Sequence, residues 1–270
     1  MSWIKDQNEI FVHDFTANIS YPNEGNHDCF DLEENSLWFK QRNDLILTLI
    51  KKHHIEGNFL DIGGGNGFQA QAIIKSNYNG SVFICEPGYH GCLNAKKRGL
   101  DKVYNGMFQD FPFTENTIKA VGLFDVIEHI EDDVKFLNDL YDKLNENAYV
   151  IINVPALKCL WSDIDQFAGH FRRYNKTDIK RLSEKTKFEI IDHGYFFSQY
   201  VIPLLMLRVL PYRLRFNKPS KNLIQRETNN HKATNQFNKV LNFIHRFQLR
   251  KVSNDKKILS GTSIYMVLKK

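Results

Sequence analysis

The 270-residue sequence is poor in the features that mark the more easily recognised protein classes. It has four cysteines, Cys29, Cys85, Cys92 and Cys159, with no C-x-x-C spacing. That pattern argues against a disulfide framework or a zinc site and for reduced thiols. Met1 to Ile10 carries Lys5, Asp6 and Glu9 and lacks the basic start and apolar run of a signal peptide, so a cytoplasmic location is expected. No uncharged apolar run reaches the roughly 20 residues of a bilayer span. Internal repeats and low-complexity tracts are absent, which excludes solenoid arrays and long disordered linkers.

What remains is a globular composition. At 42% hydrophobic and 25% charged residues the chain can bury one large core, or one core with a smaller appendage. The net charge of +5 is modest but unevenly placed: Val201 to Lys251 holds eleven Lys/Arg against the single acid Glu227, which leaves the rest mildly acidic.

Apolar runs bounded by polar turns alternate with stretches of helical period, the pattern of strand-helix units wound around a parallel sheet. Strands are expected at Gly57 to Ile62, Ser81 to Cys85, Lys102 to Tyr104, Ile118 to Phe124 and Tyr149 to Val154, with a sixth at Phe188 to Asp192 and a closing strand at Thr262 to Leu268. Helices are expected at Leu37 to Lys51, Phe68 to Lys75, His90 to Arg98, Asp132 to Leu144 and Thr177 to Lys185. Between the last two strands, Ser198 to Ser260 reads as an insertion.

After the first strand comes Asp61-Ile62-Gly63-Gly64-Gly65-Asn66-Gly67, with D-x-G-x-G-x-G spacing, running into a helix. Glycines are needed there because the chain turns sharply off the strand and must let backbone approach a ligand without a Cβ in the way. Alone, the run suits a nucleotide site or a merely structural turn. The second strand ends in Glu86, 25 residues after Asp61, where a carboxylate can accept both hydroxyls of a ribose. NAD would be served equally well by these two features.

Later motifs separate the alternatives. The order Gly106-Met107-Phe108-Gln109-Asp110-Phe111-Pro112-Phe113, then the strand Ile118 to Phe124, then Asp125-Val126-Ile127-Glu128-His129-Ile130-Glu131-Asp132 resembles the middle of class I S-adenosylmethionine (SAM) dependent methyltransferases, of the kind that methylate quinone precursors at oxygen. In that family the order is a loop over the adenine, a fourth strand and a V-x-E-H-x-x-D start of a helix. The resemblance covers about Leu37 to Gly194. It implies a doubly wound, seven-stranded Rossmann-like α/β sheet with a helical N-terminal segment and a helical insertion before the last strand. The corresponding divisions are residues 1–52, a helical segment closing over the cofactor; 53–197, the SAM-binding core; 198–260, the insertion; and 261–270, the closing strand.

On the same resemblance Asp61, Gly63, Gly64, Gly65 and Gly67 line the methionine part of SAM, Glu86 holds the ribose, and Phe124 and Asp125 sit beside the sulfonium. Family members often place an acid after the glycine of the adenine loop; here the position is Met107, so either Asp110 substitutes or Met107 and Phe108 sandwich the ring. Trp38 and Arg42 resemble the element that closes over SAM, where an arginine pairs with its carboxylate. A helix residue turned to solvent is the plainer reading of Arg42.

Asp125, Glu128 and His129 fall at i, i+3 and i+4, and His170 follows the fifth strand. These four resemble the divalent-metal box of methyltransferases that act on catechol-like quinone precursors or on RNA 3′ ends. The plainer reading, which we favour, leaves metal out and has His129 support the neighbouring loop. His170 can then take a hydroxyl proton, making His170, His129 and Asp125 the catalytic candidates. Trp161, Asp163 and Asp165 in the same loop are candidates for the acceptor wall.

In the insertion, Tyr195 to Leu214 is apolar but broken by Pro203, Arg208 and Pro211, and Phe237, Val240, Leu241, Ile244 and Phe247 recur at helical spacing beside Lys239, Arg246, Arg250 and Lys251. The favoured expectation is a lid helix packed on the sheet with its basic side in water. The alternative is peripheral contact of 198–251 with an anionic membrane or a lipid-like acceptor. No aromatic-basic RNA module is visible, so no nucleic-acid partner is expected. The expected enzyme transfers a methyl group to a small or lipid-like acceptor, chiefly at oxygen. An NAD-linked oxidoreductase would not need the later motifs, and a nonenzymatic SAM-binding or membrane-docking protein would keep the glycines without methyl turnover.

Overall fold

In the computed structural model, residues 3–13, 30, 32–214 and 235–270 are described. The chain starts with a short hairpin, β1 (Ile4–Lys5) and β2 (Phe11–Val12), followed by α1 (Leu37–Lys52). The wound part runs β3 (Asn58–Ile62), α2 (Phe68–Lys75), β4 (Val82–Cys85), α3 (Tyr89–Lys97), β5 (Lys102–Asn105), α4 (Phe113–Asn116), β6 (Ile118–Phe124), α5 (Asp133–Lys143) and β7 (Tyr149–Pro155). It continues through α6 (Asp163–Phe167), α7 (Lys176–Lys185), β8 (Glu189–Phe196), α8 (Val201–Leu204), a π-helical turn at Leu205–Val209, α9 (Leu210–Arg213), α10 (Asn235–Ser253) and β9 (Ser263–Lys269).

All strands join one sheet in the order β1-β2-β5-β4-β3-β6-β7-β9-β8. β5, β4, β3, β6 and β7 are parallel, and β9 inserts antiparallel between β7 and β8. The central strands read as nearly continuous apolar runs because both sheet faces are covered. One face packs Leu60, Ile62, Phe83, Val121 and Ile152 under Leu137 and Leu140 of α5 and Leu182 of α7. The other packs Phe59, Ile84 and Ile151 against Leu45 and Leu49 of α1, Ile73 of α2 and Ala95 of α3. α5 opens on Asp132, whose carboxylate accepts from the Lys135 N–H at 2.9 Å, and such caps set where the helix begins.

All seven expected strands are present, and the sheet has nine because the N-terminal segment is not wholly helical. β2 pairs parallel with β5 and extends the sheet edge. Strands of two residues are too short to carry an alternating pattern, so nothing in that stretch announced them. The helix of the insertion keeps its basic residues Lys239, Arg246 and Arg250 exposed, but its apolar residues divide between two faces. α10 does pack on α1, but of its apolar stripe Leu241 is buried while Val240 and Phe247 are exposed. Cys29 and the side chain of Phe237 lie outside the described residues, whereas Cys85, Cys92 and Cys159 are free thiols.

Candidate active site

β3 lies where the winding reverses: β4 and β5 build out on one side and β6 and β7 on the other. In open α/β sheets the crevice beyond the carboxyl ends of such strands is where ligands bind. Here that crevice receives Asp61 and the glycine turn from β3, Glu86 from β4, and Asp125 from β6.

Gly65 adopts φ +50, a left-handed conformation that side chains rarely take, and a Cβ built on it would meet no atom within 4 Å. The turn is therefore open at this point. Gly67 is constrained differently: at φ +76 its Cβ would stand 2.9 Å from that of Ala95, so the turn can seat α2 beside α3 only without a side chain.

Asp61 is buried with Oδ2 unpartnered. Burial pushes its carboxyl up to about 8, opposed by the Arg42 guanidinium and assisted by the charge of Glu86. The Glu86 carboxylate accepts from the N–H of Gly65 at 2.9 Å and of Gly88 at 2.7 Å. Burial raises its pKa, and those two backbone donors oppose the rise. Glu86 thus ties the glycine turn to the end of β4, and a carboxylate oxygen keeps further lone pairs for a ligand.

Arg42 is buried and not turned to solvent, which corrects the plainer expectation for it. Its guanidinium pairs with the Asp125 carboxylate and lies over the rings of Trp38 and Phe39, 4.9 and 5.0 Å from their centroids. Asp125 itself sits at φ +57 at the end of β6, donating its N–H to the Asn153 carbonyl at 2.8 Å. Strained positions of this kind persist where surrounding structure over-determines them.

Two of the expected cofactor-site residues have buried rings. The Phe108 ring is buried edge-to-face against Phe136 at 4.6 Å. Phe124 stacks on Phe59 at 6.5 Å and covers Gly122. Both rings are buried in the sheet's apolar layers, Phe124 at the last position of β6 immediately before Asp125. Met107 stays half-buried at the start of the short 3-10 turn Phe108–Asp110, and Asp110 is exposed.

Beyond β6, Glu128, His129 and His170 bring their ligand atoms within 4.8 Å of one another. Asp125, expected in the same cluster, is not part of it; its carboxylate is taken by Arg42. Glu128 is fully buried with neither carboxylate oxygen bonded, and burial followed by the nearby Asp125 charge pushes its pKa well up. His129 is pushed down to about 4 by burial and by His170, whose ring centroid lies 4.7 Å away.

His170 Nδ1 stands 3.0 Å from Asp165. Asp165 also accepts from Arg173 Nε at 2.7 Å and from the Ser162 N–H at 2.9 Å. Burial would raise the Asp165 pKa, but the His170 and Arg173 contacts outweigh it and hold the carboxyl down to about 2. Asp165 is accordingly a buried support for His170. A nearby open cavity of about 410 Å³ is lined by Lys158, Trp161, Phe171, Arg172 and Arg173, which includes Trp161 and omits Asp163.

Two residues escaped the sequence reading. Asn153, near the end of β7, is buried with neither amide atom bonded, and a polar residue in an otherwise apolar strand was the available signal. Trp3 packs on Gly106 and donates to the Asp110 carbonyl at 3.0 Å. Its position depends on a pairing more than a hundred residues away along the chain, which no local pattern reveals.

Comparisons with known proteins agree with this fold. A family model described as a methyltransferase domain matches residues 34–193. A relative from Mycolicibacterium smegmatis (strain ATCC 700084 / mc(2)155), named "Probable S-adenosylmethionine-dependent methyltransferase", is 21% identical over 164 residues, 60% of this chain and 63% of its own. Among solved structures, the Haemonchus contortus phosphoethanolamine N-methyltransferase 2 with bound S-adenosyl-L-methionine matches with a TM-score of 0.56 at 17% identity, over 94% of this chain and 58% of that one. A SAM-dependent methyltransferase of Clostridium acetobutylicum ATCC 824 gives 0.52 at 11% identity, over 85% and 91%. The chain thus spans less than two thirds of the first two relatives, and at these identities the structures speak for the fold. Because the family model covers more than half of the sequence, the chain belongs to the methyltransferase domain family.

Proposed function

We propose that this protein is a SAM-dependent methyltransferase acting on a small or lipid-like acceptor, at oxygen. The observation that carries the proposal is the open turn at Gly65 at the winding reversal, flanked by the buried Asp61 carboxyl and by Glu86. These residues fit SAM: the turn leaves space without a Cβ, and Asp61 has an unpartnered oxygen. When bound, SAM supplies an electrophilic methyl group on a cationic sulfur.

Asp61 and Gly63, Gly64, Gly65 and Gly67 would hold the methionine part, Glu86 the ribose hydroxyls, and Met107 one side of the adenine. Arg42, propped on Trp38 and Phe39, is the cation available to the SAM carboxylate once exchanged from Asp125. The same guanidinium opposes the raised pKa values of the buried Asp61 and Glu128 carboxyls, so it couples both of them to Asp125. Asp165 orients His170 through Nδ1 and leaves Nε2 to accept a hydroxyl proton from the acceptor. The cavity at Trp161 and Phe171 offers the acceptor an aromatic wall beside Lys158, Arg172 and Arg173, each of which is ion-paired to an aspartate.

Isothermal titration tests the proposal. SAM should bind, NAD should stay silent, and Gly65→Arg should remove SAM binding by filling the open turn. A folded protein that binds neither SAM nor its demethylated product overturns it.

A second reading is favoured by the buried, unpartnered Glu128 carboxylate: Glu128, His129 and His170 would hold a divalent ion that orients and acidifies the acceptor hydroxyl. Titration with Mn²⁺ and Zn²⁺ separates the two readings, since Glu128→Gln should abolish ion binding under the second and leave activity in EDTA intact under the first.

A further inference from the structure

The insertion between β8 and β9 presents a surface outside the residues assigned above to SAM and its acceptor. α10 buries Leu241, His245, Gln248 and Val252, which share one helical face. That face docks on α1: Gln41 donates to Asn242 at 3.1 Å and His245 Nε2 meets Asp44 at 2.9 Å. The opposite face therefore points away from the protein. A solvent-facing side should be polar, yet Val240, Phe243 and Phe247 are 56, 75 and 54% exposed there.

Single exposed apolar residues are ordinary, but these three follow one another at i, i+3 and i+7 as a stripe. Lys239, Arg246 and Arg250 border it on one side and Lys251 on the other, with Lys251 Nζ 5.0 Å from the Phe247 ring centroid. The helix contains no aspartate or glutamate. The helical stretch after β8 also exposes Ile202, Met206 and Leu207. Among the described residues no helix is long and apolar enough to cross a membrane. A lid helix would turn its apolar stripe inward; this one does the reverse, with cations at the rim where an anionic headgroup would meet them.

We propose that α10 docks in the plane of an anionic lipid surface. Val240, Phe243 and Phe247 enter the acyl boundary, and Lys239, Arg246, Arg250 and Lys251 meet the headgroup phosphates. This assignment does not depend on the methyltransferase reading.

Cosedimentation of the full chain tests it, with vesicles of phosphatidylcholine alone and with about a third phosphatidylserine. The expected result is binding to the anionic vesicles that weakens with salt, with little binding to the neutral ones. Phe243→Ser with Phe247→Ser, and separately Arg246→Glu with Arg250→Glu, should each reduce binding at least about tenfold. Both pairs are exposed, so circular dichroism and SAM binding should be unchanged. Absence of binding by the folded chain overturns the proposal, as does binding that both double variants retain. Sedimentation velocity supplies the other overturning outcome: a dimer abolished by the Phe243/Phe247 variant would assign the face to a second copy of the chain.

Discussion

Asp61 stands at the end of β3 with one carboxylate oxygen unpartnered, and burial pushes its pKa up to about 8. A carboxyl whose folded pKa lies above its unfolded one stabilises fully at low pH and loses that contribution as pH rises to the folded value. Asp61→Asn should therefore match the parent near pH 4 and exceed it increasingly up to pH 8, by on the order of 5 kcal/mol in urea unfolding, while SAM binding is lost. Equal stability across that range would mean that the acid is not penalised by its site. His170→Gln should slow methyl transfer to an identified acceptor by about 10² to 10⁴-fold without changing SAM affinity. Asp165→Asn, which acts through His170 by holding its Nδ1 side, should slow methyl transfer less than His170→Gln does and leave SAM affinity unchanged. Of the residues in this cleft, Asp61, the glycines and Glu86 were legible because their chemistry and spacing are local. That the Phe108 and Phe124 rings are buried was not legible, because sequence shows that a residue is aromatic but not which way its ring turns.

At the scale of elements, Asp133 clamps α5 to α7. Arg181 reaches it through two nitrogens at 2.8 and 2.6 Å, Arg172 through one at 2.9 Å, and the Tyr174 hydroxyl donates at 2.9 Å. Burial opposes ionisation, yet these donors hold the Asp133 pKa below its ordinary value. Its contribution is thus present above about pH 4 and lost as pH falls through the lowered value. Asp133→Ala strands two arginines and a buried hydroxyl and should cost about 3–5 kcal/mol, read as a lower urea midpoint at neutral pH. A loss below about 1 kcal/mol would show that the neighbours re-pair with water. The helices and strands of this region matched their sequence periodicity closely. The hairpin of β1 and β2 did not, since two-residue strands owe their existence to the edge of β5 and to Trp3 packing on Gly106.

For the whole molecule, ligand binding to the folded state alone raises stability by mass action, about 2.7 kcal/mol at a hundredfold excess over Kd. For a chain of this size that is a rise in Tm of roughly 5–10 °C with SAM or its demethylated product. NAD at the same concentration should produce none, and an equal shift with NAD would return the glycine turn to a dinucleotide. The sequence alone determined the wound α/β order, the seven principal strands and the glycine turn with its two acids, because these rest on periodicity and short-range spacing that every local segment carries. Only the tertiary structure decided that Arg42 is buried against Asp125, that Asp165 supports His170, that Asp125 stands apart from Glu128 and the histidines, and that α10 turns its apolar stripe outward. Each of those outcomes depends on which distant side chain reaches a charge or an apolar face first, and that competition is settled by packing in three dimensions.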